Sequence, residues 1–302
     1  MLIGRAGTAA FDWNGLTIRD FGALLDGAAS VAVIEAPAGA AHPHAYSTAC
    51  DKLYFVLEGT LRMNVDGVAY SPAAGDLIVV PKGTVFNYFD YLGAPSRLLL
   101  VHMPAFDPEA EHILPDLLRE HDVHLRGEQV TLRPMTEEDW PYILAWNADP
   151  EVLIWSDSTD QPRPPEDVKD IYRGVSLFAY NFMVEYQGEP IGECWLQKMN
   201  LPQIIARFPG RDLRRIDLMI GRTDLWNRGL GTDTLRTLVR FAFAQDGADG
   251  IFGLVDPGNH RSRRAFEKAG FSDLPGCEGE EERPMVVWKE RWVAGAEVEG
   301  AR

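Results

Sequence analysis

The hydrophobic pattern of this chain changes once, near residue 106, and no single architecture suits both sides of the change. Up to that point apolar residues come in short runs: "SVAVIEAPAG", "KLYFVLEGTLRMNV", "VAYSPAAGDLIVVPKG" and "SRLLLVHM". Gly, Pro and Asp break these runs at short, regular intervals, the signature of an all-β sandwich or barrel. Asp66-Gly67 inside "NVDGVAY" is a hairpin signal, because both residues tolerate positive φ. Past residue 106 strand-like and helix-like periods alternate. With 302 residues the chain has room for two domains of ordinary size.

The polar, acidic stretch "DPEAEHILPDLLREHDVHLRGEQ" reads as a helical linker, giving residues 1–106 and 128–302 as the domains and 107–127 between them. Val130 to Arg133 reads as a strand. Thr136 with Asp139 three residues on resembles a capping box, and Trp140, Ile143, Leu144 and Trp146 follow on a helix. "NFMVEYQGEPIGECWLQ" gives two strands around a Gln187-Gly188-Glu189 turn, and "LRRIDLMIGR" a third. Leu235, Leu238, Val239, Ala242 and Phe243 recur at helical spacing. "GIFGLVDP" is a strand, and "SRRAFEKAGF" a short helix stopped by Gly270. The second half is therefore mixed α/β.

A formal net charge of −16 argues against a nucleic-acid partner, which needs a basic face. It gives solubility, or favours a cationic small molecule. No apolar run approaches the roughly 18 residues of a membrane span. The opening "MLIGRAGTAAFDWNG" lacks the apolar core of a signal peptide. Cys50, Cys194 and Cys277 are far apart and odd in number, with neither metal spacing nor a disulfide framework, which suits the cytoplasm.

One loop carries chemistry. Asn227, Arg228, Gly229, Leu230, Gly231 and Thr232, in "WNRGLGT", lie between a strand and a helix. Glycines at a helix start let the backbone approach a ligand closely, and the free N–H groups and the positive helix end then face an anion, most often a phosphate. The plain alternative is a tight turn.

The order strand, "WNRGLGT", helix, strand, "NHRSRRAFEKAGF" resembles the GNAT N-acyltransferase superfamily, over about residues 128–293. Within it, "VTLRPMTEEDW", "QGEPIGE", "RRIDLMIG" and "FEKAGF" look most like aminoglycoside 6'-N-acetyltransferases, with siderophore-type lysine acyltransferases as relatives. The resemblance implies a mixed, splayed central sheet and acetyl-CoA as co-substrate. The loop would hold the pyrophosphate, with Arg222, Arg228, Arg261, Arg263, Arg264 and Lys268 supplying local positive charge to a polyanion. Leu218, Met219 and Ile220 would offer backbone groups to the pantetheine, and Asn259 and Ser262 would lie along it. Asn259 also fits a turn or helix cap. Asp217 matches the acid of the family's "GID" segment and would take the proton of the acceptor amine; a salt bridge to Arg214 or Arg215 is the plain alternative. Trp155 and Asp157 match a substrate-side loop, though Trp155 also suits a core. The acidic "CEGEEERP" lies near where acceptors enter in the family, or is a solvated loop. Two departures stand out. Phe266 replaces the family's proton-donating Tyr, and "KMNLPQIIARFPGRDLRR" has only Asp212 where the aminoglycoside enzymes are rich in acids.

"DKLYFVLEGTL" and "AAGDLIVVPKGTVFNYF" resemble the two cupin motifs, over about residues 28–104, which implies an all-β barrel. The family's metal-binding Glu falls on Lys52, its second-motif His on Phe86, and its first two His on Ala45 and Ser47. Neither Lys nor Phe ligates a divalent ion at neutral pH, so no metal is expected. His42, His44 and His102 are the nearest imidazoles. A surface for homodimerisation, or a small-ligand pocket lined by "FNYFDY", is the expected role. The chain as a whole is expected to be an acetyl-CoA-dependent N-acetyltransferase acting on a primary amine of a small molecule, an amino sugar first, without membrane contact. Lysine, polyamine or siderophore acylation, and a sensor that binds CoA without turnover, are the alternatives.

Overall fold

Strict alternation of apolar and polar residues makes the first half a stack of two sheets. The chain is described by a computed structural model over residues 10–21, 27–90, 94–156, 159–277 and 283–292. It divides into two units, Met1–Asp116 and Leu117–Arg302. The first contains β1 (Ala10–Trp13), β2 (Leu16–Asp20), β3 (Ser30–Ala36), β4 (Ala41–Ser47), β5 (Asp51–Glu58) and β6 (Leu61–Val65). These are followed by β7 (Val68–Tyr70), β8 (Leu77–Val80), β9 (Phe86–Asp90), β10 (Ser96–Met103) and β11 (Glu111–Ile113). One sheet runs β1-β2-β3-β10-β5-β8 and the other β11-β4-β9-β6-β7. Every second residue of β3 and β10 is buried, and Ile34, Tyr54, Met63, Phe86, Tyr88 and Leu98 fill the interior. Asp66 and Gly67 both take positive φ in the β6–β7 hairpin, as their types required.

Among the described residues the expected barrel is not closed. The described sheets end at β1 and β8, and at β11 and β7, and an isolated Thr60–Ala73 bridge lies outside their strands. The chain changes sheet through sharp turns that interrupt the ladder. At Gly59, φ is +81° and a Cβ would stand 2.5 Å from the Pro95 carbonyl oxygen, so only glycine fits.

The helical linker is also corrected. Pro108 sits at the start of a single 3-10 turn capped by Asp107, and Pro115 follows before a longer helix has room to form. Between them β11 pairs with β4, Glu111 opposite Ser47 and Ile113 opposite Ala45. Residues 107–116 thus belong to the first sandwich, and the division falls after Asp116.

The second unit contains β12 (Leu125–Arg126), β13 (Val130–Pro134), α1 (Trp140–Trp146), α2 (Pro150–Ser156), α3 (Pro165–Ser176), β14 (Ala179–Tyr186) and β15 (Glu189–Lys198). Then come α4 (Pro202–Arg207), β16 (Leu213–Met219), α5 (Leu230–Ala244), β17 (Gly250–Val255), α6 (His260–Lys268), β18 (Ser272–Asp273) and β19 (Arg283–Trp288). The sheet runs β12-β13-β14-β15-β16-β17-β19-β18, and β16–β17 is its parallel pair. Apolar residues of α5, among them Leu235, Leu238 and Val239, form one core with Val130, Phe182 and Ile216. Ile143 and Trp146 of α1 and Tyr172 of α3 form another with Met183 and Met219. The buried carboxylate of Asp233 fixes the first of these, accepting the N–H groups of Glu128, Gln129 and Val130 at 3.0, 2.7 and 3.0 Å. None of the described helices is long and apolar enough to cross a membrane.

The sheet opens at its parallel pair. Leu213, Arg214 and Arg215 pair with Gly250, Ile251 and Phe252, and there the pairing stops. β16 runs on to Met219 and β17 to Val255 without a shared ladder.

Candidate functional site

A cleft of about 740 Å³ opens where β16 and β17 part, within the usual range for a small-molecule site. Asp217, Leu218, Met219, Ile220, Asn227, Gly229, Leu230, Gly231, Thr232, Asn259, Ser262 and Trp155 all line it. Arg228 is exposed in the same loop. Asp157 lies outside the described residues, as do residues 278–282 of the acidic tail.

The loop geometry follows from its residue types. Asn227 has φ 64° and Gly229 φ 83°, two left-handed residues around Arg228. Such alternation turns successive N–H groups toward one side, a concave anion seat. Gly229 also caps α5 without a side-chain hydrogen bond. The first N–H groups of α5 therefore have no acceptor within the helix, and they sit at its positive end.

Of the six cations in the two motifs, Arg261, Arg264 and Lys268 line the cleft. Arg222 is paired with Asp224 and Arg263 with Asp273, both at 2.8 Å, so these two are held by carboxylates of their own. The Arg261 guanidinium lies 3.6 Å from the centre of the Trp226 ring and 5.5 Å from that of Trp155. Trp155 is 45% exposed, which rules out the core role and leaves it as cleft wall. Asn259 caps α6 by accepting the Ser262 N–H at 3.0 Å, and its amide donates to the Trp155 carbonyl at 3.3 Å.

The carboxylate of Asp217 is held by three side chains. Its Oδ2 accepts from Trp195 Nε1 at 2.6 Å and Gln197 Nε2 at 3.2 Å, and its Oδ1 from Arg215 at 3.0 Å. The salt bridge weighed from the sequence is thus made with Arg215. Arg214, buried, pairs instead with Asp212 and Asp246.

Two further residues of the cleft are not evident from the sequence. Glu193 on β15 is 4% exposed and lines the cleft, and Tyr172 on α3 donates its hydroxyl to Glu193 Oε1 at 3.1 Å. A charged residue in the middle of an apolar strand is the available signal for Glu193. Tyr172 has none, because the sequence does not mark α3 as a helix. Phe266 is buried against Gly253, where a Cβ would meet the ring at 2.2 Å.

In the first unit, Lys52 occupies the position at which the cupin resemblance puts a metal-binding Glu. It is 3% exposed, with its ammonium 2.5 Å from Glu111 Oε1 and 4.7 Å over the Phe86 ring. His42 packs between Trp13 and Phe86, and burial pushes its imidazole down to about 3, against the pull of the Pro43 carbonyl. A bulge between His42 and Ala45 interrupts the pairing there, and His42 is buried while His44 is only partly so. Burial, then the charge of Lys52, lowers His102 to about 4, and its Nδ1 lies 3.0 Å from Ser30 Oγ. Among the described residues no three His, Cys, Asp or Glu side chains are placed to share an ion.

Comparison with known proteins agrees with both halves. Residues 129–272 match the model of the acetyltransferase (GNAT) domain, and residues 32–102 that of the cupin domain. Aminoglycoside N(6')-acetyltransferases type 1 from Klebsiella pneumoniae and Serratia marcescens are each 28% identical over 160 residues, 48% of this chain and 75% of theirs. A GNAT-family acetyltransferase from Bacillus anthracis is 17% identical, covering 56% of this chain and 99% of its own, with a TM-score of 0.45. Pac13, a nucleoside dehydratase from Streptomyces, is 24% identical over 35% of this chain and 84% of its own, with a TM-score of 0.32. The chain therefore joins a cupin domain to a GNAT acetyltransferase domain, and the second makes it an acetyl-transferring enzyme.

Proposed function

We propose that this protein transfers the acetyl group of acetyl-CoA to a primary amine of a small molecule, with aminoglycoside-like amino sugars as the first acceptors to test. The observation that carries this is the meeting of three features in one cleft: the uncapped start of α5, the parted strands β16 and β17, and the carboxylate of Asp217. Acetyl-CoA supplies the activated acyl group as a thioester. The N–H groups of Asn227 to Thr232 fit its pyrophosphate, and Arg264 and Lys268 supply positive charge beside them. Leu218, Met219 and Ile220 lie past the last β16–β17 pair and would offer backbone groups to the amides of the pantetheine, although the Ile220 carbonyl already accepts from Trp226 Nε1 at 2.7 Å. Asn259 and Ser262 lie on the α6 side, and Trp155 and Asp157 fall to the acceptor. Asp217, held by its N–H donors, makes a fixed wall that accepts hydrogen bonds from an ammonium.

Arg215 balances the charge of Asp217, so this wall suits an acceptor with few positive charges as well as a polycation. That favours testing lysine and spermidine beside kanamycin. Calorimetric titration with acetyl-CoA, then thiol release against those amines, tests the reading. Micromolar binding and turnover of at least one amine are expected; a protein that binds no acetyl-CoA ends it.

A further inference from the structure

We propose that Glu193, oriented by Tyr172, takes the proton from the attacking amine. This rests on the acetyl-transfer function proposed above. Cross-strand partners in a sheet share a face. Glu193 is the partner of Met219, and Trp195 that of Asp217, so all four lie on the sheet face that packs with α1 and α3. Met219 belongs to the stretch of β16 that has left β17. Glu193 therefore stands one strand, about 5 Å of backbone, from the gap where a thioester would lie. It lines the cleft although only 4% of it is exposed.

Tyr172 holds that carboxylate in place. Its ring packs edge-on against Trp195, with centroids 5.3 Å apart, and its hydroxyl donates to Oε1 at 3.1 Å. Asn147 Nδ2 approaches the same hydroxyl at 3.4 Å. Asp217 is differently occupied: Trp195 and Gln197 donate to one oxygen and Arg215 to the other. Asp217 orients; Glu193 receives.

The step balances without another reagent. The bound ammonium first gives one proton to water; the neutral amine nitrogen then forms a bond to the acetyl carbon and gives one proton to Glu193. The carbon–sulfur bond breaks with its electron pair on sulfur. The proton held by Glu193 then passes to the thiolate or to water, which restores the carboxylate. In this assignment Glu193 is catalytic and Tyr172 a positioning residue.

The test uses the full chain, with acetyl-CoA and the best acceptor among kanamycin, spermidine and lysine. Glu193→Gln keeps the side-chain shape and is expected to lower kcat about 100- to 1000-fold. Acetyl-CoA affinity and thermal midpoint should stay near wild type, and the rise of kcat with pH should flatten. Glu193→Asp, which keeps the carboxylate, should retain that rise at reduced rate. Tyr172→Phe should cost about tenfold in kcat and shift the pH profile, with KM unchanged. Asp217→Asn should act chiefly on acceptor KM. If Glu193→Gln keeps its rate within threefold, or if Asp217→Asn abolishes kcat while Glu193→Gln does not, Glu193 is not the base. Should Glu193→Gln fail to fold, a Glu193→Asp profile identical to wild type in rate and pH overturns the assignment. A wild-type protein that binds no acetyl-CoA, or releases no thiol with any acceptor, removes the proposed function itself and this inference with it.

Discussion

Gly229 shows how one residue sets a binding loop. Its φ of +83° is a conformation that side chains resist, while the nearest heavy atom to an added Cβ would be 4.0 Å away. Space is available, so the requirement is the backbone angle alone. Gly229→Ala is expected to destabilise the protein by about 1 kcal/mol and to weaken acetyl-CoA binding by tenfold or more, read by calorimetry. The buried imidazoles of the first unit make a prediction in pH. His42 at about 3 and His102 at about 4 both lie below the ordinary 6.5, so the unfolded chain takes up protons that the folded one refuses. Stability from these groups is complete above pH 6.5 and falls as pH drops toward 4, by about 1.4 kcal/mol per pH unit for each group. Urea unfolding at pH 7.5 and 5.0 measures it, and His42→Phe should reduce the difference. The histidines are visible in the sequence but their burial is not, because "AHPHAYS" alternates too weakly to show which imidazole faces the interior.

Elements are legible where a pattern repeats and hidden where one residue type has two meanings. Strands such as β3, β5 and β10, and helix α5, follow directly from their apolar periods. Helices α2, α3 and α4 each begin with a proline, Pro150, Pro165 and Pro202, a residue that reads as a breaker yet suits the first helical turn, where its missing N–H has no partner to lose. With α3 hidden in this way, nothing in the sequence joins Tyr172 to Glu193. The linker misleads for a related reason. Its acids suggest a solvated helix, whereas Glu111 is the partner of Lys52, 59 residues away in the chain. Both side chains are largely buried, at 4% and 11% exposure, so each depends on the other. Lys52→Met leaves the Glu111 carboxylate unpaired and is expected to cost about 3–5 kcal/mol, while Lys52→Met with Glu111→Leu should recover most of it. A double-mutant cycle by chemical denaturation reads the difference.

At the scale of the whole molecule, charge and cleft oppose each other. The chain carries 29 basic and 45 acidic residues, a net charge of −16, yet its proposed co-substrate is a polyanion. Long-range forces therefore repel acetyl-CoA, and binding must rely on positive charge placed close by. Arg261, Arg264 and Lys268 in the cleft wall provide it, helped by the positive end of α5. The two contributions respond differently to salt. At about 0.02 M ionic strength the screening length is near 20 Å, so the acidic surface still acts on the ligand; near 0.15 M it is about 8 Å, and only the nearby cations act strongly. Acetyl-CoA affinity should therefore change little, or rise slightly, between those two conditions, and fall several-fold by about 1 M, where even contacts at roughly 3 Å are screened. Arg264→Gln with Lys268→Gln should weaken binding about tenfold at 0.15 M and remove most of the fall at 1 M. Titrations of wild type and double variant at the three ionic strengths decide it. A steep loss already between 0.02 and 0.15 M would mean that distant attraction, not the cleft cations, brings the co-substrate in.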